Sequence, residues 1–341
     1  MKKIFFLMLV VCFSFQGTLF SKDKLVISTW GYNGDLLKKY IYEPFEKKYG
    51  VEIVLETGNN AARLNKLKLR KGKGVDLIYL ASSYTMDAIE LGLFEKINRA
   101  NLTNLSEIYP VARSPFGEDY GPAYTVMRVG IIYDTAQLSN PINSWNDLWR
   151  NDLRNKISVP NITTTAGPTI VMTAGRYKKV DAFMQSDTAF RALKDLKQNI
   201  LKTYNRSSDL ANMFAQGEIA AGVAMNFVMP RVKKALPSAV WVDPQEGSFV
   251  NINTINVVKG SPNKELGEKY INFVLSEKIQ KDIALAKVDS PVNVNVILNQ
   301  KQAEGLTYGG ELIGSFQDVN WGEINKRKKN WISQWNEIFA N

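Results

Sequence analysis

From residue 51 to residue 94 the hydrophobic pattern changes period three times, and that alternation limits the fold more than anything else in the chain. "VEIVLETG" alternates as a half-buried strand does, and "AARLNKLKLRKGKG" repeats at helical spacing. "VDLIYLAS" is a continuous apolar run of strand length, and "YTMDAIELGLF" returns to helix. Upstream, "KLVISTW" (24–30) reads as a strand. In "GDLLKKYIYEPFEKKYG" (34–50), Leu36, Leu37, Tyr40, Ile41 and Phe45 share one helical face, Asp35 is the expected cap and Gly50 the expected stop. Successive βα units imply a parallel sheet covered on both faces, so the fold class is α/β.

In open α/β sheets, ligands bind beyond the carboxyl ends of the strands. Here those ends carry polar and aromatic residues: "STWGYN", "TGNNAAR" and "ASSYT". "YGPAYTVMRVGIIYD" (120–134) is long for one strand and could cross between domains. A second βα series starts at "SWNDLWRNDLRNKISVP", where Ser144 and Asp147 form a capping-box pair. Its strand ends in "PNITTTAGPTI", and a helix is expected from about Pro168, since proline suits a first turn. Thr163, Thr164 and Thr165 could therefore form a plain polar loop with one cap, or a cradle at a helix N-terminus. "VWVDPQEGSFVNINTINVVKGSP" is a candidate return crossing, and "KELGEKYINFVLSEKIQKDIAL" reads as one amphipathic helix. At 341 residues, two domains are expected.

Composition excludes much chemistry. The chain has no histidine, which removes imidazole triads and relays. Its single cysteine, Cys12, lies in an apolar run (Ile4 to Phe15) behind Lys2 and Lys3, the pattern of an export signal over residues 1–21. Export to the periplasm or another extracytoplasmic space follows, with a lipid anchor at Cys12 as the alternative. No cofactor and no metal are expected; ferric ion would need a tyrosine pair or histidine. The formal net charge of +10 falls to +8 without Lys2 and Lys3, and the lysines are interspersed with acids, so a solvated surface is expected rather than a nucleic-acid face.

Taken in order, "GVDLIYLASSYTMDAIELGLFEKIN", "NSWNDLW", "FAQGEIAAGVAMN", "WVDPQEGSFVNINTINVVKGSPNKELGEKYINFVLS" and "SPVNVNV" resemble an extracellular solute-binding protein of an ABC importer. The likeness is to the spermidine/putrescine-binding branch of the type II periplasmic-binding-protein fold. That resemblance implies two α/β lobes, two hinge-crossing segments near 123–134 and 248–258, a ligand cleft between the lobes, and delivery of a small-molecule solute to a membrane permease. Lobe 1 is expected to comprise 22–127 plus about 254–300, and lobe 2 to comprise 128–253 plus about 301–341. A monomer without catalytic activity is expected.

The resemblance puts an aromatic at Trp30 and a serine-and-tyrosine turn at Ser82, Ser83 and Tyr84. Polyamine binders also place acids after the second-domain strand and an aspartate on the return crossing, with a tryptophan just before it. This chain has Thr163–Thr165 at the first place, and Asn253 with Asn251 at the second. A polycation would lack counter-charges there, so a solute bearing an anionic group is the primary expectation and a polyamine the alternative. Arg63, Arg128 and Arg231 could hold such an anion, or could equally form surface or lobe–lobe ion pairs. Tyr32, Asn60 and Asn226 complete the expected site. A secreted carboxylate-dependent hydrolase and a surface polyanion binder are the rival classes.

Overall fold

The computed structural model describes residues 23–314, 316 and 319–339. The leader, with Lys2, Lys3 and Cys12, lies outside them. Nine strands are present among the described residues: β1 Lys24–Thr29, β2 Glu52–Thr57, β3 Leu77–Ala81, β4 Ala123–Asp134, β5 Ile157–Pro160, β6 Ile200–Tyr204, β7 Ala221–Met225, β8 Ala239–Val242 and β9 Phe249–Val257. Six helices bear on the site. α1 is one continuous run, with Gly34–Leu37 and Glu43–Tyr49 flanking a π-helical turn at Lys38–Tyr42. The others are α2 Asn60–Leu69, α3 Ser82–Glu90, α4 Gly167–Tyr177, α5 Lys264–Leu275 and α6 Trp321–Phe339.

The strand order is β2-β1-β3-β9-β4-β7-β5-β6, with β8 paired to β4. Within β2-β1-β3 and within β7-β5-β6 the strands run parallel, as the βα alternation requires. The two expected crossings are β4 and β9. β4 pairs antiparallel with β9 along Ala123–Val129, and with β7 along Val129–Tyr133. β9 in turn pairs with β3 along Asn253–Val257. Hydrogen bonding thus runs unbroken through the middle of the molecule, yet the apolar cores are separate. Leu25, Ile27, Phe45, Tyr79, Ile255 and Tyr270 belong to one core, and Trp145, Ile157, Val171, Phe190, Trp331 and Trp335 to another. This is the two-lobed arrangement, with the crossing strands as its only long sheet connection among the described residues.

Local chemistry explains most boundaries. Gly50 ends α1 at φ 70°, in the left-handed region where glycine carries no steric penalty. Ser144 N donates to Asp147 Oδ2 at 3.0 Å while Ser144 Oγ accepts from Asn146 N at 3.0 Å, so the capping pair forms, on a 3₁₀ turn. Two expectations are corrected. Asp35 does not cap α1; Asn33 holds that position and Asp35 lies in the first turn. The helix read through residues 264–285 is broken at Ser276, whose backbone is extended and whose Oγ donates to Phe273 O at 2.7 Å, leaving a separate helix at Glu277–Leu285.

Candidate functional site

The carboxyl ends of β1, β2 and β3 are tied together by one side chain. Arg63, on the first turn of α2, is 1% exposed. Its Nε donates to Gly58 O at 2.9 Å, Nη1 to Ser28 O at 3.0 Å and Tyr79 O at 2.6 Å, and Nη2 to Asn60 Oδ1 at 3.2 Å. The guanidinium lies 4.8 Å from the centroid of the half-buried Trp30 ring. Burial lowers its pKa to about 10. Among the described residues no carboxylate lies within ion-pair distance of it. Arg63 therefore contributes a buried positive charge, but four of its five donors are already engaged, three on strand-end carbonyls and one on Asn60.

The second lobe presents the threonine turn. Thr163 N and Oγ1 both donate to Asn161 Oδ1, at 3.0 and 2.8 Å, which closes an Asx turn. Thr164 Oγ1 donates to Asn161 O at 2.7 Å and accepts from Gly167 N at 3.2 Å, but the N-cap position of α4 is held by Ala166, so no threonine caps the helix as expected. Gly167 is required here, since an added Cβ would lie 2.1 Å from Asn161 O. Helix α4 begins at Gly167, with Pro168 in its first turn, close to the expected start.

Thr163 and Thr165 also reach the other lobe. Asn60 Nδ2 donates to Thr165 Oγ1 at 3.3 Å, and Tyr84 OH donates to Thr163 O at 3.1 Å. Tyr32 packs edge-on against Phe227 with centroids 5.4 Å apart, and the Arg231 charge acts on its phenol, so the rim of the cleft is closed there too. Helix α6 adds a further link. Its Trp331 and Trp335 lie in the second lobe's core, while Asn325 Nδ2 donates to Ser83 O at 3.0 Å and Lys328 sits 4.4 Å from the Tyr84 ring centroid.

Other expected site residues turn out to fasten the hinge. Ser82 Oγ donates to Ile252 O and accepts from Ile252 N, both at 3.0 Å, locking the start of α3 to β9. Arg128 pairs with Asp243 at 2.7 Å and donates to Leu306 O at 2.7 Å and Thr307 Oγ1 at 3.1 Å. Asn226 Oδ1 accepts from Arg128 N at 3.1 Å, and its Nδ2 donates to Gly305 O at 2.9 Å. Asn251 and Asn253 lie on β9, where Asn251 Nδ2 donates to Asn253 Oδ1 at 3.3 Å. Asn251 Oδ1 is buried without a partner.

The sequence reading missed Asp289. This half-buried carboxyl lies near Tyr124, whose phenol it pushes upward, and burial raises its own pKa. The segment "SPVNVNV" starts one residue too late to include it.

Strand ends from two lobes meeting over a polar floor define a protein that encloses a small ligand. The chain belongs to the bacterial extracellular solute-binding protein family, whose model matches residues 40–305. It is 42% identical to an ABC transporter protein from Clostridium perfringens, with 92% of this chain and 99% of that chain covered and a TM-score of 0.80. It is also 26% identical to the spermidine/putrescine-binding periplasmic protein of Salmonella typhimurium, over 72% of this chain and 71% of that one. A periplasmic binding protein of Actinobacillus pleuropneumoniae with fructose-6-phosphate bound shares the fold, at TM-score 0.76 and 21% identity, covering 94% of this chain and 99% of that one. Members of this family are transport binding proteins, periplasmic or extracellular, rather than enzymes.

Proposed function

We propose that this chain is the exported, monomeric binding component of an ABC importer, which closes its two lobes on a small polar organic solute and hands it unchanged to a membrane permease. The observation that carries this reading is the contact of Asn60 and Tyr84 with the Thr163–Thr165 turn across the cleft. Only a closed form gains both sets of contacts, so a solute reaching both lobes favours closure. The lobe limits proposed are 22–127 with about 254–300, and 128–253 with about 301–341.

An acidic group on the solute is supported by the Arg63 charge, which forms no ion pair among the described residues, and by Arg231 near Tyr32. Arg63 would act on it mainly through its field rather than by a bidentate grip, since four of its five donors are engaged. The polyamine reading is favoured by the Salmonella relative. A catalytic role has no imidazole or described thiol to use.

Native mass spectrometry on gently purified protein tests the reading. The expected spectrum shows one small organic adduct per monomer, recovered unaltered on denaturation and still unaltered after incubation with fresh protein. Chemical conversion of that molecule would favour a carboxylate-dependent hydrolase and overturn the transport reading.

A further inference from the structure

Helix α6 is fastened into the second lobe and reaches out to the first. Trp331 and Trp335 are almost wholly buried in the second lobe's core, and Trp331 Nε1 donates to Ser186 Oγ at 3.0 Å. Arg327 Nε donates to Phe183 O at 3.0 Å, which pins the same helix by its polar side. Any rotation of the second lobe therefore carries α6 with it. Helix α3 is held as firmly by the first lobe. Tyr84 and Ala88 pack there with Leu64, Leu67 and Leu80, and the Thr85 and Thr254 hydroxyls are hydrogen-bonded at 2.9 Å.

The two helices meet through side chains. Asn325 Nδ2 donates both to Ser83 O at 3.0 Å and to Asp87 Oδ1 at 2.9 Å. Lys328 Nζ pairs with Asp87 Oδ2 at 3.4 Å and lies 4.4 Å from the Tyr84 ring centroid. Beside them the Met86 side chain packs against the second lobe's core and passes close to Gly322, where an added Cβ would lie 3.3 Å from Met86 Cε. These contacts bear on the same turn of α3 whose Tyr84 OH donates to Thr163 O across the cleft.

The chemistry of this contact suits one that is made and released. The Lys328 and Asp87 side chains are 30% and 27% exposed, so salt reaches the pair. Asn325 Oδ1 is buried without a partner among the described residues. Separation of the helices would let water satisfy that oxygen, offsetting part of the hydrogen bonding lost.

We propose that Asp87, Asn325 and Lys328 form a clasp between the lobes, which positions the Ser83–Tyr84 turn and sets the balance of open and closed forms before any solute arrives. The inference rests on lobe closure being the working motion. With the clasp made, a solute supplies only the remainder of the closing free energy, so affinity is set partly by residues outside the cleft. Loosening the clasp lowers the affinity for any solute by the fraction of closed form lost.

The test is pulsed electron–electron distance measurement on the solute-free chain. Cys12→Ser leaves no native cysteine, so Lys66→Cys in the first lobe and Lys194→Cys in the second carry one spin-label pair. The parent should show a closed-lobe population. Asn325→Ala and Lys328→Met should each raise the ratio of open to closed lobes about three- to tenfold, while Lys328→Arg, which keeps the charge, stays near the parent. Raising sodium chloride from about 0.05 M to about 1 M should open the parent and leave Lys328→Met unmoved, a response that a purely structural lysine would not give. A parent found wholly open, ratios unchanged in both variants, or equal salt responses in parent and Lys328→Met would overturn the clasp. If putrescine or 2-aminoethylphosphonate shortens the distance while the variants leave it alone, closure stands and the clasp alone falls. One fixed distance, moved by no variant, salt or probe, would overturn closure as well.

Discussion

Arg63→Met is expected to lower stability by about 2–4 kcal/mol, seen as a lower thermal midpoint and urea midpoint. Methionine fills similar space but donates nothing, so Ser28 O, Gly58 O and Tyr79 O lose a shared partner at the ends of three strands. Each buried carbonyl left unpaired costs about 1–3 kcal/mol. Part of that is offset, because removing a buried cation that forms no ion pair among the described residues also removes its desolvation cost. The loss of three carbonyl contacts outweighs the recovered term. Arg63→Lys should fall in between, since an ammonium has three donors and no planar fork to span the strands. A midpoint for Arg63→Met equal to that of the parent would show that the strand ends hold together without it.

Gly121→Ala should be at least as damaging, by about 3–5 kcal/mol, or should prevent folded protein from accumulating. Gly121 stands just before β4, with its N–H donating to Asn256 Oδ1 at 2.8 Å. A Cβ there would lie 1.7 Å from Ile255 O and 2.8 Å from Ile255 C, and a main-chain atom cannot swing aside as a flexible side chain can. The two crossing strands would have to part where they enter the first lobe. Gly34→Ala is the control, because nothing lies within 4 Å of its added Cβ. Alanine also favours helix there, so that variant should match the parent or exceed it slightly. Equal thermal midpoints for the two variants would contradict the close approach at Gly121.

The parts of this architecture that depend on short-range pattern could be read from sequence. Period changes gave the βα units, length alone marked 120–134 as a crossing, and the Ser144–Asp147 pair and Gly50 follow from local capping chemistry. The break at Ser276 was hidden because the apolar period of α5 carries through into the next helix. The arginines show the limit at the site. Sequence displays a guanidinium with five donors, but it does not show that carbonyls from β1, β3 and the β2–α2 turn converge on Arg63, or that Asp243 waits for Arg128. Asp289 was the hardest to read. Its partners come from residues 42, 79 and 124, and only the packed first lobe brings them together. The threonine triplet was legible as a strand-end turn, but the helix behind it has Ala166, not a threonine, at its N-cap. That Thr163 and Thr165 would touch Tyr84 and Asn60 needed both lobes in place.

Lobe closure on a solute is the central claim, and small-angle X-ray scattering tests it most directly. The protein should be stripped by partial unfolding and refolding, then measured alone and with a saturating probe whose binding calorimetry has established. Closure predicts a smaller radius of gyration and a shorter maximum dimension on binding, with both changes reduced when Asn60→Ala and Tyr84→Phe remove the contacts to the Thr163–Thr165 turn. Identical scattering curves with and without a bound solute would contradict the account.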